Sequence, residues 1–145
     1  MSIQIAPIME KKELDQAFSI RHKVFVEEQN VPSSLETDEW DATATHFLAK
    51  ENGQAVGTAR LRWVSAKVGK VERVAVLSSH RGTGLGRALM DAIESYAIQH
   101  EASMLKLHAQ TSALSFYRKL GYDPHGEPFM DAGIEHIEMK KPIQC

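Results

Sequence analysis

The sequence predicts an α/β (α+β) fold in which helices flank a mixed, twisted sheet of six or seven strands. Three observations carry this expectation. Apolar residues alternate along several short runs, two such runs meet at Asn52-Gly53, and a glycine-rich segment separates a strand-like run from a helix-like one.

The elements follow in chain order. Ile3 to Ile8 alternates and suits a first strand, after which Leu14, Ala17, Phe18, Arg21 and Phe25 fall on one helical stripe, with Pro32 marking the helix's end or following an earlier stop. Residues 30–44 combine Pro32, serines and acidic side chains without a clear period, so they read as a surface loop or a short helical turn. His46 to Lys50 and Ala55 to Val64 are the strands joined by Asn52-Gly53, and Val68 to Leu77 extends them into an antiparallel meander. Strict alternation on this third strand sets Lys70, Glu72, Val74 and Val76 on one face and Val71, Arg73 and Ala75 on the other. Leu85, Ala88, Leu89, Ala92, Ile93 and Tyr96 then recur at helical spacing. A strand from Met104 to Ala109, a short helix between Ser112 and Gly121, and a final hairpin complete the chain.

Composition bounds the function. A chain of 145 residues, 43% hydrophobic and 25% charged, suits one domain spanning residues 1–145. A net charge of -2 without a basic block argues against nucleic-acid partners. No apolar run approaches the roughly 18 residues of a membrane span, and no signal peptide is recognisable, so a cytoplasmic protein is expected. The single cysteine, Cys145, stands last, which excludes an internal disulfide and leaves nothing to hold it as a nucleophile.

The glycine-rich segment is Arg81-Gly82-Thr83-Gly84-Leu85-Gly86-Arg87. Glycines at a strand-to-helix turn expose backbone N–H groups at the positive end of the helix and form an anion cradle. Gly86 is followed by Arg87-Ala88 rather than Lys and Ser or Thr, so the magnesium and phosphate ligands of a nucleotide hydrolase are missing. Neither glycine frame closes a Gly-x-Gly-x-x-Gly fingerprint, because Leu89 or Arg87 stands at the last position. What remains, Arg81-x-x-Gly84-x-Gly86, resembles the pyrophosphate-binding motif of the GNAT superfamily, the GCN5-related N-acetyltransferases. Downstream, Phe116-Tyr117-x-x-x-Gly121-Tyr122 resembles a second signature of that superfamily. The resemblance covers nearly the whole chain, and Arg21-x-x-Val24-Phe25-Val26-x-Glu28-Gln29-x-Val31-Pro32, with Glu36, Asp38 and Asp41, is similar to a subgroup of small bacterial members of unassigned substrate.

The resemblance implies acetyl-CoA as donor and a primary amine as acceptor: a small amine, an amino sugar such as glucosamine 6-phosphate, or a protein amine. It implies that Arg81, Gly82, Thr83, Gly84, Leu85, Gly86, Arg87 and Phe116 hold the cofactor, and that the backbone of Val74, Ala75 and Val76 pairs with the pantetheine arm. Transfer within a ternary complex needs a group that takes a proton from the ammonium and another that serves the departing thiolate. Tyr117 matches the family tyrosine, and a phenol with a pKa of roughly 10 can hydrogen-bond or protonate a thiolate of roughly 8.5. Glu72, nine residues before Arg81, is the candidate base or substrate-orienting carboxylate; pairing with Arg60, Arg62 or Arg73 is its purely structural alternative. His108, nine residues before Tyr117, stands where amino-sugar members carry an aspartate, and Ala113 replaces a common cofactor-contacting asparagine.

Specificity is expected from the Arg21–Asp41 segment and the final hairpin around Glu127 to His136. Glu28, Gln29, Glu36, Asp38 and Asp41 could form an acidic mouth for a cationic amine, and Arg60 and Arg62 could hold an anionic group on it; a solvated loop is the plain alternative. The remaining histidines lack metal-ligand spacing, so no catalytic metal is expected. A homodimer is compatible with the resemblance, with no apolar face standing out to form it. A CoA-binding sensor or scaffold of the same fold is the alternative to an enzyme, kept open by the substituted His108 and Ala113.

Overall fold

A computed structural model describes residues 2–143, so Cys145 lies outside the described residues. Strands β1 (Ile3–Pro7), β2 (Thr45–Glu51), β3 (Gln54–Trp63), β4 (Val68–Val76), β5 (Met104–Gln110), β6 (Asp123–Asp131) and β7 (Ile134–Pro142) form one sheet. Their order is β1-β2-β3-β4-β5-β7-β6, antiparallel except for the central pair β4 and β5. Asn52 and Gly53 take φ 51° and 85°, the left-handed pair that a two-residue hairpin turn requires.

Helix α1 (Lys11–Arg21) begins on the stripe expected from the sequence, but the backbone then widens into a π-helical stretch, His22–Glu28. The Gln29 N–H donates to the Val24 carbonyl five residues back, at 3.2 Å. Residues 30–44 hold α2 (Ser33–Glu36) and a 3-10 turn, Glu39–Ala42. Helix α3 (Leu85–Gln99) makes the crossover between the parallel strands, and α4 (Leu114–Lys119) follows β5. On one face of the sheet, Leu85, Leu89 and Ile93 of α3 pack on Phe47, Leu61, Leu105 and Leu107; on the other, Ala17, Ile20 and Val24 meet Leu48 and Ala75. Each fully buried Leu or Ile contributes about 1.5–3 kcal/mol.

The alternation expected along β4 fails at Arg73. Its φ is 56°, and the register against β3 slips between Thr58 and Arg60, which is a β-bulge. Val71 and Val74 consequently both face the α3 side, and Ala75 faces α1. Glu72 and Arg73 both turn toward residues 30–44, so Glu72 does not share a face with Val74 and Val76.

That loop meets two buried guanidiniums. Arg21 and Arg60 are each 1% exposed. Arg21 donates from Nε to Glu36 at 2.8 Å and from Nη1 to Asp41 at 2.7 Å. Arg60 donates to Asp38 at 2.7 Å, Asp41 at 2.8 Å and Glu72 at 2.8 Å. Glu36, Asp38 and Asp41 are therefore counter-ions of buried arginines, and of the three only Glu36 also lines the cleft. Arg60, expected to hold substrate, has its donors spent inside the fold and no path to a ligand.

Replacing Arg60 with Ala leaves three carboxylates facing one another without their shared cation, and breaking a buried pair of this kind costs about 3–5 kcal/mol. Urea unfolding of Arg60→Ala should show a loss of that size; a loss under about 1 kcal/mol, the level of an exposed ion pair, would refute the counter-ion role.

Candidate active site

The two parallel strands pair only from Val68↔Met104 to Val71↔Leu107, and then diverge. A cavity of about 540 Å³ opens between them. Val74, Ala75 and Val76 form one wall, His108 and Gln110 another, Phe116 and Tyr117 the floor, and Val24, Phe25 and Val31 the front. Beyond Val71 the β5-facing edge of β4 carries no strand partner among the described residues, so that edge is open to pair with an extended ligand.

At one end of the cavity lies the glycine loop. Gly82 and Gly84 take φ 76° and 89°, left-handed conformations that cost other residues about 1 kcal/mol or more. Gly84 caps α3, leaving the N–H groups of the first turn without helical partners at the positive end of a 15-residue helix. Gly86 permits a close approach, because a Cβ there would lie 3.2 Å from Phe116 Cζ. Arg81 donates from Nε to the Val76 carbonyl at 3.0 Å and pairs through Nη2 with Glu28 Oε1 at 2.7 Å. Glu28, expected on the acceptor side, thus sits on the cofactor loop's arginine and does not line the cavity. Thr83 spends its hydroxyl on the His80 carbonyl at 2.6 Å, and Leu85 turns its side chain into the core. Arg87 lies outside the cavity, 3.9 Å from Asp91.

The Tyr117 ring packs edge-on against Phe116 at 4.9 Å and Tyr122 at 6.0 Å. Its hydroxyl makes no hydrogen bond among the described residues. Burial pushes it up to about 12.

Glu72 has the opposite character. Burial alone would raise its pKa, but hydrogen bonds from Arg62 and the charges of Arg60 and Lys70 outweigh it and hold the carboxyl at about 2. Such a carboxylate is too weak a base to deprotonate an ammonium, which removes the base role expected for Glu72. Arg62 donates to Glu72 at 3.1 Å, lies 4.4 Å over the Trp40 ring and does not line the cavity, so the substrate contact expected of it is not made.

His108 faces the cavity, with Nε2 at 3.4 Å from Glu138. Burial, and then the charge of Lys70, lower its pKa and keep the ring neutral at pH 7. Gln29 lines the cavity, and its Oε1 accepts from Gln110 Nε2 at 2.8 Å across the gap between the π-helical stretch and β5.

A family model described as an acetyltransferase (GNAT) domain matches residues 6–143. The chain belongs to the GNAT acetyltransferase family. The uncharacterized N-acetyltransferase YjcF of Bacillus subtilis is 42% identical over 132 residues, covering 90% of this chain and 94% of that protein. An acyl-CoA N-acyltransferase of Pseudomonas aeruginosa superimposes with a TM-score of 0.87 at 27% identity, covering 97% of this chain and 99% of the other. A GNAT family acetyltransferase of Elizabethkingia anophelis with acetyl-CoA bound shares the fold, with a TM-score of 0.77 at 16% identity over 97% of this chain and 98% of the other. The GNAT fold thus binds acetyl-CoA, and the divergent strands, glycine loop and Tyr117 of this chain occupy one continuous cleft. No helix among the described residues is long and apolar enough to cross a membrane.

Lys70, Arg73 and Gln110 also line the GNAT cleft without having been singled out as site residues, as does His136 at the end of the hairpin expected to set specificity. Gln110 could have been found, because alternation on β5 puts it on the same face as His108. Arg73 could not, since only the bulge turns it there.

The low carboxyl pKa values carry a stability consequence. For Asp38, Asp41 and Glu72, burial raises the pKa, and their arginine partners outweigh it and lower the folded value. Groups depressed from an unfolded value of roughly 4 contribute stability that is present above that pH and lost below it. Urea midpoints should hold steady above about pH 5 and fall between about pH 4 and 2, and Glu72→Gln should flatten part of that fall. An unchanged slope in Glu72→Gln would show that the lowered carboxyl contributes nothing.

Proposed function

We propose that residues 1–145 act as one N-acetyltransferase domain that moves an acetyl group from acetyl-CoA directly to a primary amine in a ternary complex. The observation that carries this reading is the free Tyr117 hydroxyl at the floor of a cleft bounded by an unpaired strand edge and an anion cradle. When bound, acetyl-CoA supplies a thioester open to attack by an amine. The first turn of α3 holds the pyrophosphate through backbone N–H groups, and Val74, Ala75 and Val76 pair with the pantetheine arm. The same strand edge offers an N–H near Val74 to the carbonyl oxygen as negative charge develops there.

Tyr117 serves the leaving sulfur. A phenol raised to about 12 stays protonated at neutral pH. It is also a weaker acid than a thiol of roughly 8.5, so it donates a hydrogen bond to the thiolate rather than giving up its proton outright. A hydrogen bond to a charged group contributes about 1.5–3 kcal/mol, which is about ten- to a hundredfold in rate. Glu72 shapes the site by fixing Arg60 and Arg62, and neutral His108 borders the acceptor side.

CoA release measured with a thiol-reactive dye, across amino sugars, polyamines, amino acids and peptides, tests this reading. Cys145→Ser is the background variant, so that the chain's own thiol stays silent. Amine-dependent release should fall about tenfold or more in Tyr117→Phe while acetyl-CoA binding by calorimetry is unchanged. Binding without release for every amine would instead make the chain a CoA-binding module.

A further inference from the structure

An aliphatic ammonium has a pKa of roughly 10, so nearly every acceptor molecule arrives protonated at neutral pH and must lose a proton before it can attack. Glu72 is held too acidic to take it. The cavity offers two imidazoles, His108 on β5 and His136 on β7. In the β5–β7 register His108 opposes Glu138 and Gln110 opposes His136, so the two rings are diagonal neighbours on one face, ~7–8 Å apart at the backbone.

Their hydrogen bonds distinguish them. His136 Nδ1 lies 2.7 Å from the Ile134 carbonyl oxygen, which can only accept; Nδ1 must therefore carry the hydrogen, and in the neutral ring Nε2 carries the lone pair. That Nε2 has no partner among the described residues. Phe129 stacks on the ring at 5.9 Å with an interplanar angle of 22°, fixing its plane. On its face lie Gln110, His108 and Lys106 of β5, Asp123, His125 and Asp131 of β6, and Glu138 and Lys140 of its own strand. No lysine or arginine pairs with His136 among the described residues. His108 instead sits by Glu138 beside Lys106, with Lys70 also disfavouring its charged form.

We infer that His136 Nε2 accepts the ammonium proton of an aliphatic primary amine acceptor, its Nδ1–H to the Ile134 carbonyl setting the tautomer and stabilising the imidazolium. The inference rests on the transferase reading. The protons balance as follows: His136 takes the first and passes it to solvent. The neutral nitrogen forms the N–C bond as the C–S bond breaks with its electron pair leaving on sulfur. The second nitrogen proton neutralises that thiolate while Tyr117 holds it by a hydrogen bond. The products are an amide, CoA thiol and one proton.

The experiment compares pH profiles of amine-dependent CoA release, from about pH 5 to 9, for the wild type, His136→Asn, His136→Ala and His108→Gln. Asn can reproduce the Nδ1–H bond to Ile134 while removing the Nε2 base, so its fold should survive; acetyl-CoA affinity by calorimetry checks this. Expected are a loss of about a hundredfold or more in kcat/KM for His136→Asn, disappearance of the acid limb that does not move with the amine's own pKa, and partial rescue of His136→Ala by added imidazole. Activity within about threefold of wild type with the acid limb intact would overturn the assignment, as would loss of that limb in His108→Gln alone. A wild type that binds acetyl-CoA and releases no CoA with any amine would overturn the transferase reading itself, a different result from a wild-type-like His136 variant.

Discussion

The structure depends on how two buried guanidiniums are neutralised. Arg21 and Arg60 are the largest fully buried side chains, and a cation out of water is tolerable only with hydrogen-bonded counter-charge. Asp41 meets both, at 2.7 Å and 2.8 Å, so one carboxylate ties α1 to β3. The segment that supplies it is shaped for this purpose. The Trp40 N–H donates to Asp38, and the Asp38 N–H donates to Asp41, which fixes the 3-10 turn as a capping box. Arg73 then donates to the Glu36 carbonyl at 3.0 Å, so the same network seats the β4 bulge. The front of the cleft, with Val31 and Leu35, hangs from these contacts.

The bulge divides β4 into two working halves. Before it, the strand pairs with β5 and sends Val71 into the core; after it, the strand leaves β5 and its edge is free. One left-handed residue thus turns Arg73 to the same side as Glu72, toward the ion pairs, and Val74 toward the α3-side core. The cations around Glu72 are held in ion pairs, while on the side of the cleft formed by β5 and β7 the His136 Nε2 has no partner among the described residues.

How far the sequence foretold this follows from which signals are local. The meander, the Asn52-Gly53 turn, the α3 stripe and the glycine cradle are set by neighbouring residues, and each stands where periodicity and turn chemistry put it. The π-helical stretch from His22 and the bulge at Arg73 are not local choices. Both answer to contacts made from 30 or more positions away, such as Arg73 on Glu36, and a period of two or 3.6 has no symbol for them. Arg60 illustrates the remaining failure. An arginine on a strand beside acidic residues reads equally as a ligand for an anion or as a buried counter-ion, and only its 1% exposure decides. Glu28 is ambiguous for the same reason, since its partner Arg81 lies far along the chain.

The titratable groups of the cleft fall into a pattern that chemistry at neutral pH can use. Burial and three cations set Glu72 at about 2, while burial alone sets Tyr117 at about 12. Environments that push ionisable groups this far apart assign their roles. The carboxylate is permanently charged and anchors its cations; the phenol is permanently protonated and donates. Neither can change state as a proton moves from an ammonium to solvent, because each lies about five units from neutrality. Imidazole, whose ordinary range spans pH 7, is the side chain suited to carrying that proton. A cleft lined by two histidines from adjacent strands, with one ring's tautomer fixed by a backbone carbonyl, meets that requirement without a carboxylate base.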